Sequence, residues 1–234
     1  MLAHSRDTVD TETFIVGEGK TASNGATWAH GRAIFRPSFS KAQASNYERH
    51  FQQLAANVPT DGSSVDLRVL FSRLTLDVAT EIIFGESINS QQPDAPQYTR
   101  DVNQAFEDAT KGIFDRFVMG QLMFLHYEPK FTKALKILNK YTNTIIDKAF
   151  REKAVSKDNP KDVESSGGAL IFLDELLKDT SDTKRIRDLL LNALLGGLDT
   201  TMALLSHPFI HLSRNPAALK RLREDIAQLG AADV

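Results

Sequence analysis

Apolar residues recur at three- and four-residue intervals along almost the whole of this sequence from Thr27 onward. That spacing places them on one side of an α-helix, whereas a half-buried β-strand would alternate apolar and polar residues. The sequence contains no alternating run of useful length and no internal repeat. The pattern therefore predicts a mainly α fold.

Turn residues divide the helical pattern into segments. A short helix is predicted over residues 28–35, and a second begins at Ser38 or Ser40 and runs to about Val58. Further helices are predicted over 67–84, 97–117, 129–152, 169–179, 184–206 and onward from Pro216. The long helix over 184–206 carries one apolar side, made of Leu189, Leu190, Ala193, Leu194 and Leu198. The last helix is predicted to bury an inner face made of Leu219, Leu222, Ile226 and Leu229.

Charge and composition exclude several classes of protein. The net charge is −2, so the sequence does not indicate binding to nucleic acid or to an anionic membrane surface. The first ten residues lack the apolar run of a signal peptide. The apolar tract "DLLLNALLGGL" is too short and too interrupted to span a bilayer, so no membrane anchor is expected. The absence of cysteine excludes disulfides, thiolate nucleophiles and thiolate metal ligands from these 234 residues.

The stretch Gly17-Glu18-Gly19-Lys20-Thr21 resembles the end of a phosphate-binding loop. The full motif needs a glycine at position 14, which is Phe14 here, and a helix that begins at the lysine. Turn residues follow instead, so the stretch is interpreted as a glycine-rich surface loop. A nucleotide-binding protein remains the less favoured interpretation, and it predicts ATP binding that depends on Lys20.

Trp28 and Arg32 lie four residues apart, which places them one turn apart on one helix face. An indole N–H and a guanidinium fork together suit a carboxylate held against an apolar surface. The alternative is a tryptophan in the core and an arginine on the surface.

Two glycines, Gly196 and Gly197, fall in the middle of the long helix and are followed by Leu198, Asp199 and Thr200. Each glycine costs a helix roughly 1 kcal/mol relative to alanine. Without side chains they would let a flat group lie against the helix backbone. The Thr200 hydroxyl is predicted to bond back to the Gly196 carbonyl, and a carboxylate beside a hydroxyl suits proton delivery. The alternative is a helix–helix crossing at the glycines, with Asp199 solvated.

Together these segments resemble the cytochrome P450 family. "WAHGR" followed by "RPSF" looks like its C-helix signature, and "GGLDTT", about 170 residues later, looks like its I-helix motif. Leu70–Ser87 is similar to the E-helix region, and Leu212–Ile226 resembles the J-helix. The opening segment is most similar to fungal microsomal members that hydroxylate alkanes and fatty acids. The resemblance implies the central helical part, from the C-helix to the J-helix region, of this fold.

The resemblance also implies residue roles around a haem cofactor. Trp28 and Arg32 would donate to a haem propionate, and Gly196 and Gly197 would line the distal face of the haem. The resemblance makes Asp199 and Thr200 the pair that delivers protons during dioxygen activation.

The resemblance implies one partial P450 domain over residues 1–234. Residues 1–26 would form a loop near the substrate, 27–39 the C-helix region and 184–210 the I-helix region. The implied partners are a small apolar substrate and a reductase that uses NADPH, with no nucleic acid. The implied location is the endoplasmic reticulum membrane.

The sequence departs from the family pattern in three respects. It has no cysteine to serve as the axial haem ligand. Pro208 falls within the I-helix region, where it should kink the helix, and Leu198 replaces a residue that is usually polar or basic in the fungal alkane hydroxylases. We therefore expect an internal fragment, such as the product of a truncated gene model, that is inactive alone. The alternative is a non-catalytic helical interaction or regulatory protein derived from a P450.

His207 and His211 have the i, i+4 spacing of a metal-binding pair. No carboxylate or third histidine lies at a partnering spacing, so they are interpreted as helix-surface histidines and no metal site is predicted.

Overall fold

A computed structural model of the chain describes residues 33–34, 47–119, 128–158 and 172–232. This part of the chain contains seven helices and no strand, which confirms the mainly α prediction. The helices are α1 (Glu48–Ala56), α2 (Leu67–Phe84), α3 (Gln97–Met119), α4 (Pro129–Asp158), α5 (Phe172–Asp179), α6 (Thr183–Ser213) and α7 (Pro216–Ala232). The glycine-rich loop, the Trp28–Arg32 pair and the proposed start of α1 lie outside the described residues.

Side-chain caps fix the starts of the two helices that carry most of the core. The Asp66 carboxylate accepts the Arg68 backbone N–H at 2.9 Å and starts α2. Asp182 does the same for α6, because its carboxylate accepts the N–H groups of Lys184 and Arg185 at 3.0 and 3.3 Å. These bonds satisfy donors that have no partner within the first helical turn. Gly85 ends α2 in the left-handed conformation, with φ of 82°, as the sequence predicts.

The core lies where α6 passes between its neighbours. Its most extensive contacts are with α2, and α4 packs against it as well. The leucine side that the sequence predicts for α6 is buried, with Leu190 and Leu194 fully enclosed. Phe131 and Leu138 from α4 are also fully enclosed and belong to the same cluster. One continuous apolar cluster therefore holds α2 to α6 together.

At Gly112, helices α3 and α4 lie so close together that a side chain on the glycine would overlap its neighbour. A Cβ atom built on Gly112 of α3 would lie 2.2 Å from Cδ2 and 2.7 Å from Cγ of Phe131. Phe131 is completely buried, so its ring has no space into which to move. Gly112 therefore lets α3 and α4 approach each other.

A buried carboxylate anchors the loop between α2 and α3. Asp77, on α2, is fully buried and accepts the backbone N–H groups of Ser90 and Gln91 at 2.5 and 3.1 Å. The Ser90 hydroxyl in turn donates to the Arg73 carbonyl at 3.1 Å. Buried polar groups are stable only when they are hydrogen-bonded, so this network fixes the position of the loop.

Two helices are longer than the sequence predicts. The prediction ended α4 at residue 152 and α6 at residue 206, whereas they continue to Asp158 and Ser213. α6 continues through Pro208, and beyond it the Phe209 ring contacts the Phe71 ring of α2 with centroids 5.4 Å apart. This contact favours continuation of the helix past the proline.

The length of α6 corrects the expectation that its apolar tract is too short to span a bilayer. At 31 residues it is long and apolar enough to cross a membrane, judged by length and composition alone. In this fold 28% of its most apolar stretch is buried within the protein. Core helices of soluble proteins pass the same test, so the finding is weak evidence for a membrane span.

The prediction that the last helix buries its apolar face is wrong for the described residues. Of the three predicted positions whose exposure is described, Leu222 and Ile226 are 40% and 57% exposed and Leu219 is partly covered. Among the described helices, α7 has its main contacts with α6, which it follows in the chain. Periodicity identified the apolar face correctly, but no described helix packs on it.

Gly112→Ala should lower the free energy of unfolding by about 1–3 kcal/mol, because the added methyl group overlaps the fixed Phe131 ring. Gly196→Ala is the matched control, since a Cβ there meets nothing within 4 Å. It should stabilise the chain by up to about 1 kcal/mol through helix propensity. Urea unfolding of the full chain measures both, and effects of the same sign would contradict the prediction.

Asp77→Ala should lower the free energy of unfolding by about 3 kcal/mol, because two buried N–H groups lose their acceptor. Asp94→Ala removes an exposed carboxylate from the same loop and should change stability by less than about 0.5 kcal/mol. Thermal and urea unfolding provide the measurement. Similar stability of the two variants would show that the anchor does not hold the loop.

Candidate functional site

The helix segment around the glycine pair has the backbone arrangement that the sequence predicts. The Thr200 hydroxyl donates to the Gly196 carbonyl at 2.7 Å. A hydroxyl bonded in this way adds a second donor to a carbonyl of the helical ladder and weakens the ladder locally. Gly196, Asp199 and Thr200 are all exposed, so this stretch of α6 presents polar groups beside open backbone.

Neither glycine is required by packing among the described residues. A Cβ atom built on Gly196 or Gly197 would meet no heavy atom within 4 Å. No described helix crosses α6 closely at this pair, whereas Asp199 is exposed, as the alternative interpretation expects; Gly112 is the glycine at a close crossing. The two glycines lower the helix propensity of this segment and leave its backbone uncovered by described side chains.

Asp199 lines a solvent-open cleft of about 260 Å³ between α2, α3 and α6. Arg68 on α2 and Lys111 on α3 line the same cleft, and so does Glu107. A hydrogen bond to Asp115 raises the pKa of Lys111, so the ammonium group stays charged at neutral pH. Asp199 is therefore placed where water and other charged groups can reach it.

The opposite side of the same helix segment borders an apolar cavity. Gly197 and Thr201 line this space of about 290 Å³ together with Leu74, Val78 and Ile82 of α2. The segment thus lies between two different environments. One carries charged side chains among apolar ones, and the other is lined almost entirely by hydrocarbon.

Side-chain hydrogen bonds accompany the proline in the later part of α6. Ser206 donates to the Met202 carbonyl at 2.8 Å, and Nδ1 of His207 contacts the Ala203 carbonyl at 2.7 Å. Because a carbonyl only accepts, His207 must carry its proton on Nδ1. Among residues 33–34, 47–119, 128–158 and 172–232, no three His, Cys, Asp or Glu side chains come together as a metal site.

The glycine pair is the part of the predicted haem site that lies within the described residues. A Cβ atom on either glycine would meet no heavy atom within 4 Å, and the exposed Thr200 hydroxyl lies one turn after Gly196, so the helix backbone is open to close approach by a flat group. Trp28 and Arg32 lie outside the described residues, so their pairing with this surface stays a prediction. The axial thiolate has no candidate, because the sequence contains no cysteine.

Sequence reasoning missed the residues that share the Asp199 cleft. Arg68, Glu107 and Lys111 lie on α2 and α3, far from residue 199 in the chain. No local motif marks them, because helix packing alone brings them near Asp199. The hydrogen bond from Ser72 to Glu107 at 3.4 Å also joins two of these helices.

Comparison with known proteins gives a single family. The family model described as Cytochrome P450 matches residues 3–233. Cytochrome P450 52-E3 of Starmerella bombicola is 35% identical over 94% of this chain and 44% of the relative. Cytochrome P450 52E1 of Candida apicola is 33% identical over the same shares, and cytochrome P450 52A12 of Debaryomyces hansenii is 34% identical over 91% and 42%. The chain spans less than half the length of these curated relatives.

Asp199→Asn and Thr200→Ala should each change the free energy of unfolding by less than about 0.5 kcal/mol, because both side chains are exposed. Leu198→Ala, between the glycines and this pair, should cost about 2–5 kcal/mol, since Leu198 is buried in the core. Urea unfolding compares the three variants. A large loss of stability at Asp199 or Thr200 would show a structural role for that residue.

Proposed function

Because the chain belongs to the cytochrome P450 family, we propose that it forms the oxygen-activating helical part of a haem-thiolate monooxygenase. The proposed reaction is hydroxylation of a small apolar substrate, such as an alkane or a fatty acid, with dioxygen. The substrate class follows from the similarity to fungal alkane and fatty-acid hydroxylases.

One observation supports the proposal most directly. α6 presents two glycines with open space above them, and one turn later it presents a hydroxyl bonded to the first glycine's carbonyl. A helix that only supported the fold would be more stable with alanine at both positions. The arrangement suits close approach of a flat group to the helix backbone.

The bound haem would supply the redox chemistry of dioxygen activation. The residues of this chain would govern its surroundings. Gly196 and Gly197 would admit the ring against the helix, while Trp28 and Arg32 would donate hydrogen bonds to a propionate. These are charge-assisted bonds, which are stronger than bonds between neutral groups.

Asp199 and Thr200 would control protons on the distal side. Asp199 lines a cleft open to solvent, so its carboxylate can exchange protons with water there. The Thr200 hydroxyl donates a hydrogen bond to the Gly196 carbonyl, which leaves its oxygen lone pairs free to accept a hydrogen bond from a donor. Arg68 and Lys111 would bring two cationic groups to the same cleft, beside the carboxylates of Glu107 and Asp199.

We further propose that these 234 residues do not catalyse monooxygenation by themselves. The sequence contains no cysteine, so it does not supply the thiolate that pushes electron density toward dioxygen. A reductase that uses NADPH would provide electrons to the complete site, and the endoplasmic reticulum membrane would be its location. Both statements rest on similarity to the fungal members. The missing thiolate also favours the second candidate, a non-catalytic helical interaction or regulatory protein.

Titration of the purified chain with haem tests the cofactor face. We expect a saturable change in the Soret band, and Gly196→Val should weaken binding at least about tenfold, or about 1.4 kcal/mol, by filling the open space. Trp28→Ala and Arg32→Ala should each weaken binding about tenfold, because a bond to a charged propionate is lost.

Ala55→Val is the control, because it also places a valine at an exposed helical position, on α1. It should leave haem affinity unchanged. Circular dichroism confirms that each variant is folded. Equal haem affinity for Gly196→Val and Ala55→Val would contradict the cofactor face, and stable folding without haem binding would favour the non-catalytic candidate.

A further inference from the structure

A second polar cleft, separate from the α6 site, lies between α2, α3 and the loop that joins them. Its volume is about 210 Å³. It is lined by Arg73 on α2 and Arg100 on α3, together with Ser90, Thr99, Asn103 and Gln104. No described residue that lines this cleft is acidic.

Neither arginine has an ion-pair partner in the described part of the chain. Arg73 is half-buried and Arg100 is exposed, and neither lies within ion-pair distance of a described carboxylate. The net charge of the chain is −2, so the two cations do not reflect a generally basic protein.

The nearby carboxylates of Asp77, Asp101 and Glu107 contact other groups or line another cleft. Asp77 is buried, and its two oxygens accept the Ser90 and Gln91 N–H groups. Asp101 accepts from Gln97 at 2.8 Å, and Glu107 lines the neighbouring Asp199 cleft. Asp94 lies in the same loop but is exposed, and no described carboxylate lies within ion-pair distance of either arginine.

The floor of the cleft is held in place before any ligand arrives. The Ser90 hydroxyl donates to the Arg73 carbonyl at 3.1 Å, and the Thr99 hydroxyl donates to the Ile88 carbonyl at 3.4 Å. Asn57 donates to the Gln91 carbonyl at 2.9 Å from α1. Such a fixed site loses little conformational entropy when it binds a ligand.

We infer that this cleft binds a phosphate group, held by Arg73 and Arg100. Two guanidinium groups match the two negative charges of a phosphate, and their planar forks fit its oxygens in a bidentate manner. The amide groups of Asn103 and Gln104 add neutral donors at the wall. The phosphate belongs either to a free small molecule or to a lipid headgroup, because the two share this chemistry.

Calorimetric titration of the full chain with inorganic phosphate, at constant ionic strength balanced with chloride, tests the inference. We expect saturable binding, weakened about tenfold by Arg73→Gln or Arg100→Gln, since each loses a charge-assisted bond. Arg73→Lys keeps the charge but loses the fork, so it should weaken binding by a smaller factor. Arg223→Gln on the exposed surface of α7 removes the same charge elsewhere and should have no effect.

A second arm separates the two sources of phosphate. Cosedimentation uses vesicles of equal parts phosphatidylcholine and phosphatidic acid, with pure phosphatidylcholine as the blank. Vesicle binding that Arg73→Gln abolishes supports the site with a lipid source, and binding of inorganic phosphate without vesicle binding supports it with a free source. Circular dichroism checks that every variant is folded.

Three results would overturn the inference. They are the absence of saturable binding in both arms, equal weakening by Arg223→Gln, and acetate binding as tight as that of phosphate. Without saturable binding there is no site. Equal weakening by Arg223→Gln would show nonspecific charge attraction. Equally tight acetate binding would show that the cleft does not select phosphate. The titration contains no haem, so its outcome is independent of the proposed cofactor face.

Discussion

The leucine side of α6, buried against α2 and α4, is the contact on which the rest of this structure depends. Leu190 and Leu194 are completely enclosed there, and burial of each large aliphatic side chain contributes about 1.5–3 kcal/mol. This contact fixes the rotation of α6 about its axis. Once that rotation is set, Gly196 and Thr200 must face away from the core and Asp199 must face the cleft beside α3.

The same helix combines strong packing on one side with a weakened backbone on the other. It contains two glycines, a threonine that bonds back to a carbonyl, and a proline that removes one backbone donor. Contacts such as Phe71 with Phe209 hold it in place along its length. A functional surface can therefore occupy a locally unfavourable stretch, because the buried side supplies the stability.

Charge is distributed unevenly over the two clefts that α2 and α3 form. The cleft at Asp199 contains both acidic and basic side chains, which suits proton exchange with solvent. The other contains arginines without acidic partners, which suits an anion. Asn103 lines both clefts, so they lie side by side while differing in charge. Asp77 makes this separation possible, because it fixes the loop that forms one wall.

The sequence by itself determined the helical class, the leucine side of α6 and the Thr200–Gly196 bond. All three follow from interactions between residues three or four positions apart, which the helix geometry fixes locally. The ends of α4 and α6 were predicted too early. In α6, Pro208 predicts a kink when considered alone, and the helix continues past it to Ser213, with the Phe71–Phe209 contact on the far side.

Only the tertiary structure decided which apolar helix faces pack against another helix, and which charged residues far apart in the sequence lie close together. Ile226 of α7 has the same periodicity as the core leucines, yet it is exposed, because no described helix packs on it. Gly112 allows a close helix crossing while Gly196 does not, although both are helical glycines. The meeting of Asp199 with Lys111, and of Arg73 with Arg100, depends on packing between helices, which no local pattern encodes.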